Sequence, residues 1–236
     1  MSNVQSMISR VAVVPHPPLL VPELVAGAVA ETEPVRAACL AAAADLAACA
    51  DEWVAVGVAP GAPRELSDVA GTFRGFGVDV PVALSDAPSR VVADLPLPAL
   101  VAGWLRERVG ARRVRVHLVP PDLPTARCVA LGERLTASGD ALLVLGDGSH
   151  RHGELAVGRA DDRAGPFDDA VHRALAAADT AALRAVDPAL AAELGARGRA
   201  AWQVLAGVRG PWRCARSRFL APFGVGYHVA VWETGA

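Results

Sequence analysis

Short apolar runs rich in β-branched residues alternate along this chain with longer alanine-rich stretches of helical character, and most changes from one to the other are marked by proline or glycine. "RVAVV" at 10–14 predicts a buried strand that Pro15 ends, because a proline has no N–H to continue a ladder. "TEPVRAACLAAAADLAACA" at 32–50 predicts a helix with Thr32 as cap, Glu33 in the first turn and Pro34 at an early position. "EWVAVGVAP" at 52–60 predicts a second strand, closed by Pro60 and Gly61.

The glycine-rich "GTFRGFGVDVPVALS" predicts short strands, and "PALVAGWLRERVG" a helix over about 98–109. "RRVRVHLVPP" at 112–121 alternates as a strand does and carries His117. "PTARCVALGERLTASG" reads as a proline-led helix closed by Gly139, and "DALLVLGDGSH" as a buried strand entering a tight turn. A polar loop, "HRHGELAVGRADDRAGP", precedes helical stretches from Phe167 to Gly207 that are interrupted at Pro188 and around Gly195 and Gly198. "CARSRFLAPFGVGYHVAVWE" predicts two antiparallel strands joined at 221–224. No repeat and no linker composition interrupts this alternation. The chain therefore reads as one α/β domain over 1–236, an α/β/α layered mixed sheet.

Composition narrows the classes of function. At 236 residues and 53% hydrophobic content the chain has ample material for a core. Its 23 positive charges are all arginine, and a net charge of -2 provides no basic field for nucleic acid or an anionic membrane. The apolar stretch from Val11 to Ala30 is not expected to span a membrane, since Pro15, Pro17, Pro18 and Pro22 would free backbone groups that lipid cannot satisfy. Nor is a signal peptide expected in "MSNVQSMISR". Cys39, Cys49, Cys128 and Cys214 lie far apart with no CxxC pair, so neither a zinc ribbon nor a disulfide framework is expected, and a reduced cytoplasmic setting is. The alanine-rich helices offer flat faces that suit either internal packing on the sheet or an oligomer contact.

Ligands in open α/β sheets collect at the carboxyl ends of parallel strands. Three predicted loops qualify: 15–18 with His16, 59–63 with no titratable side chain, and 146–152 with Asp147, Ser149, His150 and His152. An imidazole at such a place can ligate a metal or move a proton near neutral pH. The plainer reading is that His16 donates a hydrogen bond to a loop carbonyl, and that "GDGSH" is a turn in which Gly146 and Gly148 supply positive φ and Asp147 an Asx bond. His117 and His228 lie in apolar strands and read as core histidines, His172 as marginal on its helix, and His152 as solvated. Asp168 and Asp169 read as helix N-terminal carboxylates that compensate the helix dipole. Arg151, Arg159, Arg163, Asp161 and Asp162 read as a solvated loop network. No P-loop, GxGxxG or GxSxG signature is present.

Taken together, "VVPHPPLLVPEL", "GDGSH", "GPFDDAVHRAL" and "APFGVGYHVAVW" resemble the LigB-like superfamily of class III extradiol ring-cleavage dioxygenases, an uncharacterised actinobacterial branch most closely. Memo-type proteins are related to the same superfamily. The resemblance covers almost the whole chain and implies a layered α/β fold with its site at the strand ends. It also implies non-haem Fe(II) held by two histidines and a carboxylate. By resemblance His16 is the first metal ligand, while His150 is a ligand or the acid and base of the reaction, with Ser149 and Asp147 beside it. Glu233 is the late carboxylate. The chain departs from the family at "VGVAPGAP", where Ala59, Pro60 and Gly61 offer no ligand in place of the second histidine. Two expectations follow. One is a dioxygenase-like enzyme acting on a small aromatic diol with Fe(II). The other is a non-catalytic relative without a cofactor that binds a small ligand or a protein partner in the same cleft.

Overall fold

A computed structural model describes residues 7–25, 27–137 and 141–235. The elements in chain order are β1 (Arg10–Val14), α1 (Val29–Cys49), β2 (Glu52–Val58), β3 (Arg64–Leu66), β4 (Val69–Thr72), β5 (Pro81–Ala83), β6 (Arg90–Val91), α2 (Leu97–Val109), β7 (Arg113–Val119), α3 (Thr125–Leu135) and β8 (Ala141–Leu145). They are followed by α4 (Ala164–Ala176), α5 (Thr180–Arg184), α6 (Pro188–Glu193), α7 (Arg199–Leu205), β9 (Trp212–Leu220) and β10 (Tyr227–Thr234). Seven strands form one mixed sheet in the order β3-β7-β2-β8-β1-β10-β9, and β5-β4-β6 form a small second sheet.

The four strands β7, β2, β8 and β1 are parallel; β2, β8 and β1 are almost continuously apolar because both of their faces are covered, whereas β7 alternates between buried and partly exposed positions. Side chains of alternate residues go to opposite faces. Ala12, Val14, Leu143 and Leu145 pack with Cys39 and Leu46 of α1 and Leu100 and Trp104 of α2. Val11, Val13, Leu142 and Val144 pack with Cys128 of α3, Val171 and Leu175 of α4 and Trp202 of α7. The hairpin of β9 and β10 extends the parallel core antiparallel to β1, and Trp232 of β10 donates its indole N–H to Leu175 O at 2.7 Å, fixing the hairpin to α4.

The predicted layered α/β architecture is the one observed, with local differences. α1 begins at Val29 rather than after Thr32, and Thr32 lies inside it, its hydroxyl donating to Val29 O at 3.1 Å instead of capping. Ala28 stands at the helix start with no side-chain cap, so the tertiary burial of Val35, Cys39, Ala42, Ala43 and Leu46 stabilises the helix in place of a cap. This buried stripe places the alanine-rich helix inside the molecule, against β1 and β10. Gly139, expected to close α3, falls outside the described residues. His117 is not sealed in the core, because β7 is covered there only by three-residue β3, and its ring lies 3.6 Å from Glu65 of β3.

The connections decide where a site can form. β1 leads to α1 on one face of the sheet, whereas its parallel neighbour β8 leads to α4 on the other. Adjacent parallel strands whose connections leave to opposite faces mark the topological switch point of an open sheet, the place where ligands commonly bind.

The face carrying α3 to α7 depends on close helix contact. A Cβ on Gly132 of α3 would lie 1.9 Å from Val204 O of α7. Helix propensity alone favours Gly132→Ala by about 1 kcal/mol, but the clash is with backbone and no rotamer relieves it. Urea unfolding is expected to show the variant less stable than wild type by about 1–3 kcal/mol.

Candidate functional site

The loop after β1 and the loop after β8 are joined by hydrogen bonds from main chain to main chain and to one carboxylate. Gly146 N donates to Val14 O at 3.0 Å, and His16 N donates to Asp147 Oδ1 at 2.8 Å. Asp147 therefore does not close an Asx turn of its own; it clamps the proline-flanked loop to β8. His16 is 4% exposed, its Nδ1 lies 3.8 Å from the same Asp147 oxygen, and that nitrogen has no hydrogen-bond partner. The expected bond from the His16 ring to a loop carbonyl is thus absent at Nδ1. The Asp147 carboxylate also faces the α1 side, where burial chiefly and its negative charge secondarily push the Cys39 thiol and the Tyr227 phenol well above their ordinary ranges.

From Gly148 onward the β8 loop is bonded to the start of β10. Gly148 N donates to Gly226 O at 2.7 Å, Gly226 N to Ser149 O at 2.8 Å, and His152 N to Gly224 O at 3.1 Å. Neither Gly146 nor Gly148 has positive φ, contrary to the turn expectation. Gly148 is needed for space, since a Cβ there would lie 2.5 Å from Asp168 Oδ1. Ser149 is fully buried, donates its hydroxyl to Leu194 O at 2.9 Å and accepts from Arg151 N at 3.1 Å. Its hydroxyl is a structural bridge between the loop and α6.

Asp168 was expected at the polar start of a helix. Because α4 begins earlier, at Ala164, Asp168 falls in its second turn on the face turned to the sheet and is fully buried. Its Oδ2 accepts from Ser149 N at 3.0 Å and from His152 Nε2 at 2.6 Å, and its Oδ1 from His228 Nε2 at 3.0 Å. Burial by itself raises the pKa of this carboxyl, but the bonds from His152 and His228, the charge of His228 and the Ser149 N–H outweigh it and hold the group below its ordinary range. His152 is accordingly not a solvated loop residue. His228 is the hydrogen-bonded core histidine its strand context predicted, with Phe219 at 4.9 Å and His172 stacked at 6.1 Å. Sequence reading missed this cluster because its members are 16 and 60 residues apart. The available signal was the acid pair following Pro166 and Phe167, one position of which falls on the apolar stripe of α4.

His150 takes a different course from His16. Its backbone N–H donates to Leu194 O at 3.3 Å, and its ring lies along Gly195 in a cavity of about 330 Å³ with Pro121, Pro188, Ala191, Arg197 and Arg199. Glu233 pairs with Arg10 at 2.8 Å and also with Arg213. Cα register places it beside Arg10 at the amino end of β1, whereas His16 lies beyond the carboxyl end. Of the five site residues expected from sequence, the structure brings His16 and Asp147 together, puts Ser149 and His150 against α6, and sets Glu233 apart. The second strand end has Pro60 O accepting from Arg64 at 3.2 Å and no ligating side chain. Among the described residues no group of three His, Cys, Asp or Glu side chains is arranged to hold a metal ion.

No protein-family model matches the chain, and no curated protein is significantly similar to it. Among solved structures its fold is similar to that of the uncharacterized protein JW3007 from Escherichia coli K12, with a TM-score of 0.51 over 96% of this chain and 100% of that one. At 13% identity the likeness is one of fold. Among the described residues no helix is long and apolar enough to cross a membrane.

Burial, and then the charges of Arg151 and Arg197, hold the His150 imidazole below its ordinary value. A histidine so depressed takes up its proton later than the unfolded chain does. Its contribution to stability is full above about pH 6.5 and is lost as pH falls from there through the folded value. In an NMR titration of the histidine rings the His150 midpoint is expected below 6.5, and Arg197→Gln should raise it. A midpoint at or above the free-imidazole value contradicts the assignment.

Proposed function

We propose that this chain is a LigB-like α/β protein that binds a small molecule at the carboxyl ends of β1 and β8 and does not use an iron facial triad. The observation that carries the reading is the position of Glu233. It is paired with Arg10 at the start of β1, and a five-residue strand rising about 3.3 Å per residue separates that end from His16. The donors that the resemblance names are therefore split between His16 with Asp147 and His150 with two arginines, while His152 and His228 are committed to Asp168. Two cations beside an imidazole are poor company for Fe(II), and Ala59, Pro60 and Gly61 supply no further donor. These residues do not fit the iron site that the resemblance implies, and no step is assigned to iron.

What supports small-molecule binding is the switch-point position of the β1 and β8 loops, which the bonds at Asp147 and Asp168 fix, together with the cavity of about 330 Å³ in which His150 lies against α6 and α7. The same reading places the protein in the cytoplasm, supported by four cysteines none of which is paired, and gives it no nucleic-acid partner, supported by its net charge of -2. One observation favours the dioxygenase-like enzyme instead: the buried Nδ1 of His16 has no hydrogen-bond partner and stands beside Asp147.

Anaerobic titration of the purified chain with Fe(II), followed by elemental analysis after desalting, separates the two. The expected result is far less than one iron per chain, unchanged in His16→Ala, with no oxygen uptake on adding catechol. One iron per chain that disappears in His16→Ala, together with catechol-dependent oxygen uptake, overturns the proposal.

A further inference from the structure

We propose that the His150 cavity is a binding site for a small organic monocarboxylate, whose carboxylate is held by Arg197, Arg199 and His150 and whose apolar body rests on Pro188, Ala191 and Ala196. This deepens the small-molecule reading above and rests on it.

Arg199 is a buried cation without an anion. Three arginines of the described chain are buried: Arg36, Arg106 and Arg199. Arg36 has Glu33 at 2.6 Å and Arg106 has Asp86 at 2.6 Å, as a guanidinium withdrawn from water requires. Arg199, 4% exposed, has only neutral acceptors: Leu123 O at 2.6 Å, Gln203 Oε1 at 3.1 Å and Pro121 O. Among the described residues no carboxylate lies within ion-pair distance of it. These bonds use three of the five N–H groups of the guanidinium, and no anion answers its charge.

The cavity beside it repeats the imbalance. Its lining contains His150, Arg197 and Arg199 and no acidic residue. Arg197 is exposed at the rim and likewise has no carboxylate partner among the described residues. The remaining wall is proline, alanine and glycine, which favours a ligand with an apolar part over a bare inorganic anion. At about 330 Å³ the cavity is at the small end of the range of small-molecule sites. Gly195 admits the imidazole to this wall: it has φ +66°, and any Cβ there would lie 2.0 Å from His150 Nε2. The charge that Arg199 lacks is thus supplied from outside, by a planar carboxylate that a guanidinium can hold with two parallel bonds.

The test is isothermal titration of the full chain with benzoate and hexanoate, with benzyl alcohol as the neutral congener and inorganic phosphate as the bare anion. Saturable one-site binding of at least one acid is expected, at least tenfold tighter than benzyl alcohol or phosphate. Arg197→Gln, at an exposed position that does not threaten folding, is expected to weaken it tenfold or more. Ala192→Phe, on the exposed wall, should abolish it without removing a charge. Equal binding of benzyl alcohol, or an acid whose affinity Arg197→Gln leaves unchanged, overturns the anion site while leaving the small-molecule reading in place. Binding of phosphate alone overturns the organic ligand. Absence of binding by all four probes counts against both.

Discussion

A single buried carboxylate holds this end of the molecule together. Asp168 of α4 accepts one bond from the β8 loop, through Ser149 N, one from His152 further along that loop, and one from His228 in β10. Two segments distant in sequence, the β8 loop and β10, are thereby fixed to one side chain of α4, where burial makes a missing partner costly. Burial of a carboxylate is unfavourable unless donors replace the water it loses, and here two imidazoles and a backbone N–H take three of its roughly four acceptor positions. Gly148 exists in this arrangement because anything larger would displace the Asp168 oxygens.

The course of the β8 loop follows from that anchor. With residues 148–152 bonded to Asp168 and to the start of β10, the loop after β8 must turn toward α6, and His150 turns with it. Asp147, one step before the anchored stretch, sends its carboxylate the other way, to His16 and toward Cys39 and Tyr227 on the α1 side. Two imidazoles that sequence places on matching loops accordingly have different neighbours and different chemistry. One belongs with a carboxylate, the other with two guanidiniums. A catalytic metal needs convergent soft or anionic donors, and an anion site needs convergent cations; the β8 loop separates these requirements.

The fold was legible in the sequence because the segments that define it are dictated locally. "RVAVV", "EWVAVGV" and "ALLVL" are too apolar to lie anywhere except a sheet covered on both faces, and the prolines that follow the first two end them where the chain requires. The hairpin of β9 and β10 was visible as two β-rich runs about a proline and glycine turn. The start of α1 was not visible, since Thr32 has the right chemistry for a cap but burial of the helix stripe extends the helix past it. The site was legible only in part. The strand-end positions of His16, Asp147 and His150 follow from topology, yet whether a polar side chain at a strand end pairs, packs or opens into a cavity depends on residues far away in the chain. Asp168 resembled a surface carboxylate, and His152 a solvated one, because their partners are invisible to any local pattern. Arg199 gave no signal at all, since the significance of a buried guanidinium lies in the carboxylate that is not beside it.

The most direct measurement of the anchor is a double-mutant cycle between Asp168→Asn and His152→Gln, read by chemical denaturation of the two single variants and the double. If Asp168 organises the β8 loop through these bonds, the coupling energy is expected on the order of 1–3 kcal/mol, with the double variant much less destabilised than the sum of the singles. Additivity to within about 0.5 kcal/mol would mean that the two side chains act independently, and the account of how this loop is held would be wrong.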